Sequence, residues 1–102
     1  MLDTLLNEAV SGNKTSVALN LELSTIVSIQ GNIGAGFTTA TFKLQTSNDG
    51  VNWVDLASST KVVTGAEIIF WDISAASYEY IRVDISSVTG SAAVEIISKK
   101  KL

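Results

Sequence analysis

The chain contains no histidine, no cysteine and no proline. Without histidine it lacks the usual general base, the usual partner of a nucleophilic serine and the commonest metal ligand. Without cysteine it has no disulfide and no thiolate metal site, and the redox compartment is left open. Without proline, one common guard of exposed strand edges is missing. Charge is also sparse: 7 basic and 10 acidic residues leave a net charge of -3. That balance argues against a nucleic-acid partner, which requires clustered Lys and Arg. No apolar run approaches the ~18 residues of a membrane-spanning helix. Residues 1–10 carry Asp3 and Glu8, so no signal peptide is expected there.

What is plentiful is apolar surface. The chain has 102 residues, 46% of them hydrophobic, with a mean hydropathy of +0.33. One domain of this length can bury a modest core. The surplus is high for a small domain that must keep a polar surface, so part of it is expected to face another chain.

The clearest local signal is residues 41–56, TFKLQTSNDGVNWVDL. Phe42 and Leu44 alternate with Lys43 and Gln45, Ser47-Asn48-Asp49-Gly50 breaks the run, and Trp53, Val54 and Leu56 resume it. This reads as strand, tight turn, strand. Gly50 accepts positive φ freely, and Asn48 and Asp49 bond their own backbone. Trp53, just past the turn, is placed to cap the end of a two-sheet core. The form S-x-D-G-x-x-W is similar to the turns of sialidase-type Asp boxes and of discoidin-like sandwiches. Asn48, Asp49, Gly50 and Trp53 are therefore read as a structural turn.

The rest of the chain follows the same period of two. Residues 1–10 fit either a helical turn or an edge strand. Ser11-Gly12-Asn13-Lys14 is a turn. Residues 15–24 place Val17, Leu19, Leu21 and Leu23 on one face of a half-buried strand. Residues 25–30 form another β-branched run, followed by a flexible loop over 31–36 and a strand over 37–46. The loop 57–65 holds a short strand at Val62-Val63. Residues 66–73 are apolar on both faces, with Ile69, Trp71 and Ile73 against Ile68 and Phe70, unlike a strand wetted on one side. Ser74–Ser77 turns the chain. Residues 78–86 point Ile81, Val83 and Ile85 inward and Tyr80, Arg82 and Asp84 outward. Thr89-Gly90 is a turn, residues 91–98 close with Val94 and Ile96, and 99–102 form a basic tail. Seven to eight short antiparallel strands are expected in a single all-β sandwich, jelly-roll-like, spanning 1–102, with 1–14 as an N-terminal arm or edge strand.

No catalytic set emerges. Asp55, Glu67, Asp72, Glu79, Asp84 and Glu95 fall at outward strand positions, where charge keeps a sheet soluble. They show no D-x-D-x-D-G calcium spacing. The serines and threonines have no activating base, and Lys43 or Lys61 could serve only by unusual burial. No enzyme, cofactor or metal is expected. A contact surface is expected at Ile68, Phe70, Tyr78, Tyr80 and Arg82, outward positions that include the Tyr and Arg favoured at interface centres.

The order of these parts, SNDGVNW, then Tyr80-Ile81-Arg82-Val83-Asp84-Ile85, then Thr89-Gly90 into a Val-rich last strand, resembles small structural proteins of tailed-bacteriophage virions. The resemblance covers roughly Val17 to Ser98. It implies a β-sandwich that cements or decorates a capsid, or serves as a tail or fibre module, with the capsid surface favoured over the tail. Partners would be the major capsid protein or other virion subunits and further copies of the chain, as a trimer or dimer, with no nucleic acid and no membrane. It carries over no catalytic residue. The alternative is a carbohydrate-binding or adhesin module of a tail fibre, stacking sugars on Trp53, Trp71 or a tyrosine.

Overall fold

Period-two alternation becomes ten strands and no helix among the described residues. The structure, a computed structural model, describes residues 2–22, 24–74 and 78–101. The strands are β1 (Leu2–Val10), β2 (Lys14–Thr15), β3 (Leu19–Asn20), β4 (Ile26–Ile33) and β5 (Phe37–Ser47). They continue with β6 (Val54–Asp55), β7 (Lys61–Val63), β8 (Glu67–Ser74), β9 (Tyr80–Gly90) and β10 (Ala92–Lys101). Sheet A has the order β1-β10-β4-β8, and sheet B the order β2-β9-β5-β6, with β3 also on β9 and β7 also on β5. All pairs are antiparallel.

Two edges of sheet B are thus interrupted strands, β2/β3 beside β9 and β6/β7 beside β5. Counting each as one strand gives two facing four-stranded sheets whose connections cross between layers, the arrangement of a jelly roll. A serine fills each gap. The Ser16 hydroxyl accepts the Val83 amide at 2.9 Å, and the Ser59 hydroxyl accepts the Leu44 amide at 3.0 Å. Both amides belong to the central strands and would otherwise be buried without a partner.

The core lies between the sheets. Phe42 and Leu44 of β5, Ile81, Val83 and Ile85 of β9, Val27 and Ile29 of β4, and Val94 and Ile96 of β10 are all buried in one cluster. The two corners where the chain crosses between β4 and β5 and between β9 and β10 lie against each other, with the Ser91 amide bonded to the Gly36 carbonyl at 3.3 Å. Gly36 takes φ +137°, and a Cβ there would fall 1.8 Å from the Ser91 oxygen. Only glycine fits that approach.

Several local expectations change. Of residues 1–10, Leu2–Val10 form the edge strand, and a β-bulge between Thr4 and Leu6 turns both Leu5 and Leu6 inward. Two adjacent buried leucines break strand alternation, which is why this stretch also fitted a helical turn. Residues 15–24 do not form one strand: only β2 and β3 pair, Ser16 takes the inward place, and Val17 is 62% exposed. Leu23 lies outside the described residues, as do 75–77 of the expected Ser74–Ser77 turn. The 31–36 loop is shorter than expected, because β4 runs to Ile33. Gly31 sits where a Cβ would press on Ile69 Cγ1 at 2.8 Å, so glycine here makes room rather than a turn. Lys99, Lys100 and Lys101 are not a tail. They are the last rungs of β10, opposite Ser28, Val27 and Ile26.

Ser59→Ala is expected to strand the Leu44 amide and cost about 1–3 kcal/mol, or roughly 5–20 °C in Tm for a domain of this size. Thermal unfolding followed by circular dichroism checks this, and an unchanged Tm would contradict the gap-filling role.

Candidate interaction surfaces

The expected tight hairpin turn is a seven-residue loop, because Thr46 pairs with Val54 and leaves residues 47–53 between the strands. Its organising group is the Asp49 carboxylate. Oδ1 accepts the amides of Asn52 at 2.8 Å and Val51 at 2.9 Å and the Ser47 hydroxyl at 2.9 Å, while Oδ2 accepts Asn52 Nδ2 at 2.9 Å. The two backbone donors lead the effect, and together these bonds hold the carboxyl far below the usual carboxylate range. Gly50 takes φ +74° beneath the Tyr80 ring, and Asn48 Oδ1 accepts the Glu79 amide at 3.1 Å. The loop is therefore fastened to the start of β9.

Trp53 does not cap the core. It is half-buried on the outer side of sheet B, with the Arg82 guanidinium 4.2 Å from its ring centroid. From there a chain of polar contacts crosses the sheet. Arg82 Nε donates to Gln45 Oε1 at 2.8 Å, and Gln45 Nε2 donates to Asp55 Oδ1 at 2.9 Å. Lys43 Nζ donates to Asp55 Oδ2 at 3.0 Å and lies 3.9 Å from Asp84. The Gln45 and Lys43 bonds lower the Asp55 pKa, and the bond to Asp55 raises that of Lys43. The polar groups at the centre of this face bond one another.

The outer face of sheet A is built differently. Its registers give successive cross-strand rows: Lys101–Ile26–Ser74, Leu2–Lys99–Ser28–Asp72, Thr4–Ile97–Gln30–Phe70 and Asn7–Glu95–Asn32–Ile68. Ile68 is 69% exposed, Leu2 63%, Phe70 52% and Ile26 46%. Shallow depressions run along it, one between Gln30, Phe70 and Ile97 and another between Ile26, Phe70 and Lys101. Glu95 is held by Asn32 Nδ2 at 2.8 Å, and Asn32 by Gln30 Nε2 at 2.8 Å. Among the described residues, none of Lys99, Lys101, Glu95, Asp72 or Glu67 has an ion-pair partner.

The five residues expected to form one contact surface are divided by the fold. Ile68 and Phe70 lie on the outer face of sheet A, whereas Tyr80 and Arg82 lie on the outer face of sheet B. Tyr78 packs against the edge of the core. Leu2, Ile26 and Ile97, which complete the sheet A face, were not singled out in the sequence. Each stands in a different strand, and only the register brings them together. Trp71 is buried and donates Nε1 to the Ser59 carbonyl at 2.7 Å, which removes it as a stacking platform. Among the described residues no group of three His, Cys, Asp or Glu side chains is placed to hold a metal ion.

No family model and no curated protein matches the sequence. Solved structures do match in fold. The SPBc2 prophage-derived protein YomS is 15% identical, with a TM-score of 0.68 over 96% of this chain and 90% of that one. The PBSX exported protein XepA is 11% identical, with a TM-score of 0.71 over 99% of this chain, which spans only 37% of XepA. PirA is 14% identical, with a TM-score of 0.60 over 90% of this chain and 89% of that one. At these identities the likeness is one of fold.

Asp49 titrates below its unfolded range, so its contribution is full above the unfolded pKa of about 4 and is lost as pH falls through and below that value. The stability deficit of Asp49→Asn relative to wild type is therefore expected at pH 7 and should shrink below about pH 4. Denaturant unfolding at several pH values checks this. A deficit independent of pH would contradict a charged anchor.

Proposed function

We propose that this chain is a structural protein of a bacteriophage particle, working by protein–protein contact on the capsid surface as a cement or decoration subunit. The observation that carries this reading is the contrast between the two outer faces. Sheet B pairs Lys43 with Asp55 and Asp84 and holds Arg82 on Gln45 and Trp53, while sheet A presents exposed Ile68, Phe70, Ile26 and Leu2 among charges without ion partners. A face that keeps both apolar area and unpaired charge in water gains from being covered. The resemblance to virion proteins and the shared fold of a prophage-derived protein support the same reading.

The contact residues proposed are Ile68 and Phe70 with Leu2, Ile26 and Ile97. Tyr80 and Arg82 are engaged in holding the 47–53 loop. The neighbours would be the major capsid protein, other virion subunits or further copies of the chain. A glycan-binding fibre module is the second reading, favoured by the depression beside the loop, whose lining includes Asn48, Asn52 and Tyr78. Against it, one face of Trp53 is already occupied by Arg82.

An antibody raised against the chain should label the shell of particles purified from a producing lysate, seen by electron microscopy. Label at a fibre tip would transfer the assignment to the adhesin reading. Intact particles free of label would overturn both.

A further inference from the structure

We infer that the occupant of the sheet A face is a second copy of this chain, stacked with its strands antiparallel about a two-fold axis at the level of Ile97. This rests on the reading of that face as a contact surface, and it names the partner.

The argument begins with β10. Its outward residues read Glu95, Ile97, Lys99, so charge changes sign about Ile97. A two-fold axis in the plane of the face, perpendicular to the strands and passing over Ile97, sets Lys99 of each copy against Glu95 of the other. The same operation lays Ile97 on Ile97 and Phe70 on Phe70, because both belong to the row Thr4–Ile97–Gln30–Phe70. Glu95 is already oriented by Asn32. A self-complementary patch of this kind is what an isologous dimer requires.

The other two-fold arrangements are poorer. An axis along the strands would set Lys99 over Ser28 and Leu2 over Asp72. Edge-to-edge pairing of β8 with itself would bring its acidic residues, Glu67 and Asp72, against a strand with no cation. Two such carboxylates are the kind of charge that guards an edge. The face-to-face arrangement sets Asp72 over Ile68 of the other copy on the edge strand β8, where the ~30° angle between stacked sheets opens the gap to water.

The size of the face sets the strength. Four strands about 4.8 Å apart, over about eight residues of length, give a projected area near 500 Å². A face of that size belongs with small, reversible contacts, so a weak dimer that dissociates on dilution is expected.

Sedimentation velocity on the full chain, from about 1 μM to about 1 mM, tests this. Wild type should dimerise, and Phe70→Ser should abolish the dimer. Lys99→Glu and Glu95→Lys should each raise the dissociation constant about 10-fold or more, while the double swap restores it to within about 3-fold. All these positions lie on the outer face, and circular dichroism confirms that each variant is folded. A dimer indifferent to both reversals, as β8 edge pairing would give, overturns the stacking, and so does a monomer at every concentration. A monomer that nevertheless decorates particle shells overturns this pairing alone and leaves the virion role standing. A dimer whose antibody labels no particle does the reverse.

Discussion

The pairing of β5 with β9 is the interaction on which the rest of the structure depends. These are the longest strands, 11 residues each, and every other strand of sheet B pairs with one of them. Their inward residues, Phe42, Leu44, Ile81, Val83 and Ile85, are fully buried and supply one wall of the core. Their outward residues, Lys43, Gln45, Arg82 and Asp84, build the polar network that reaches Asp55 and Trp53. One ladder therefore fixes both sides of its sheet at once. Where the neighbouring edge strands break, Ser16 and Ser59 complete its hydrogen bonding.

Sheet A has no such internal settlement. Its inner face closes the core, but its outer face gathers residues from β1, β4, β8 and β10 of which Gln30, Asn32 and Glu95 bond one another, while Ile26, Ile68, Phe70 and Leu2 stay exposed. The difference is chemical as well as geometric. Sheet B opposes Lys43 to Asp55 and Asp84, whereas sheet A separates Lys99 from Glu95 along one strand, beyond the reach of an ion pair within the chain.

Much of the fold was legible in the sequence, because β-strand periodicity is local. The alternation of Ile81, Val83 and Ile85, the doubly apolar run of β8 and the short strand at Val62-Val63 all stand where the pattern put them. Expectations failed where one residue changed the period. The bulge at Leu5 buries two neighbours in succession, Ser16 takes an inward place because its hydroxyl serves the Val83 amide, and Gly31 continues a strand because Ile69 fills its space. The five contact candidates were divided between faces for a deeper reason. Parity says which side of its own sheet a residue faces, but a sandwich has two outer sides. Tyr80 and Phe70 share the outward parity and lie on opposite faces of the molecule. Lys99–Lys101 misled in a related way, since three consecutive lysines look like a solvated tail until a neighbouring strand is known to pair with them.

The chain's lack of cysteine permits a direct test of which face is covered. Ile68→Cys places a thiol on the sheet A face, and Val62→Cys, at a 61% exposed position on the outer side of sheet B, places one on the other. Maleimide labelling of each variant would be compared between the free, dilute protein and the protein bound to particles. Protection of Ile68→Cys on binding, with Val62→Cys reacting equally in both states, is the result predicted. Equal labelling of Ile68→Cys in both states, or protection only of Val62→Cys, would contradict the assignment of sheet A as the contact face.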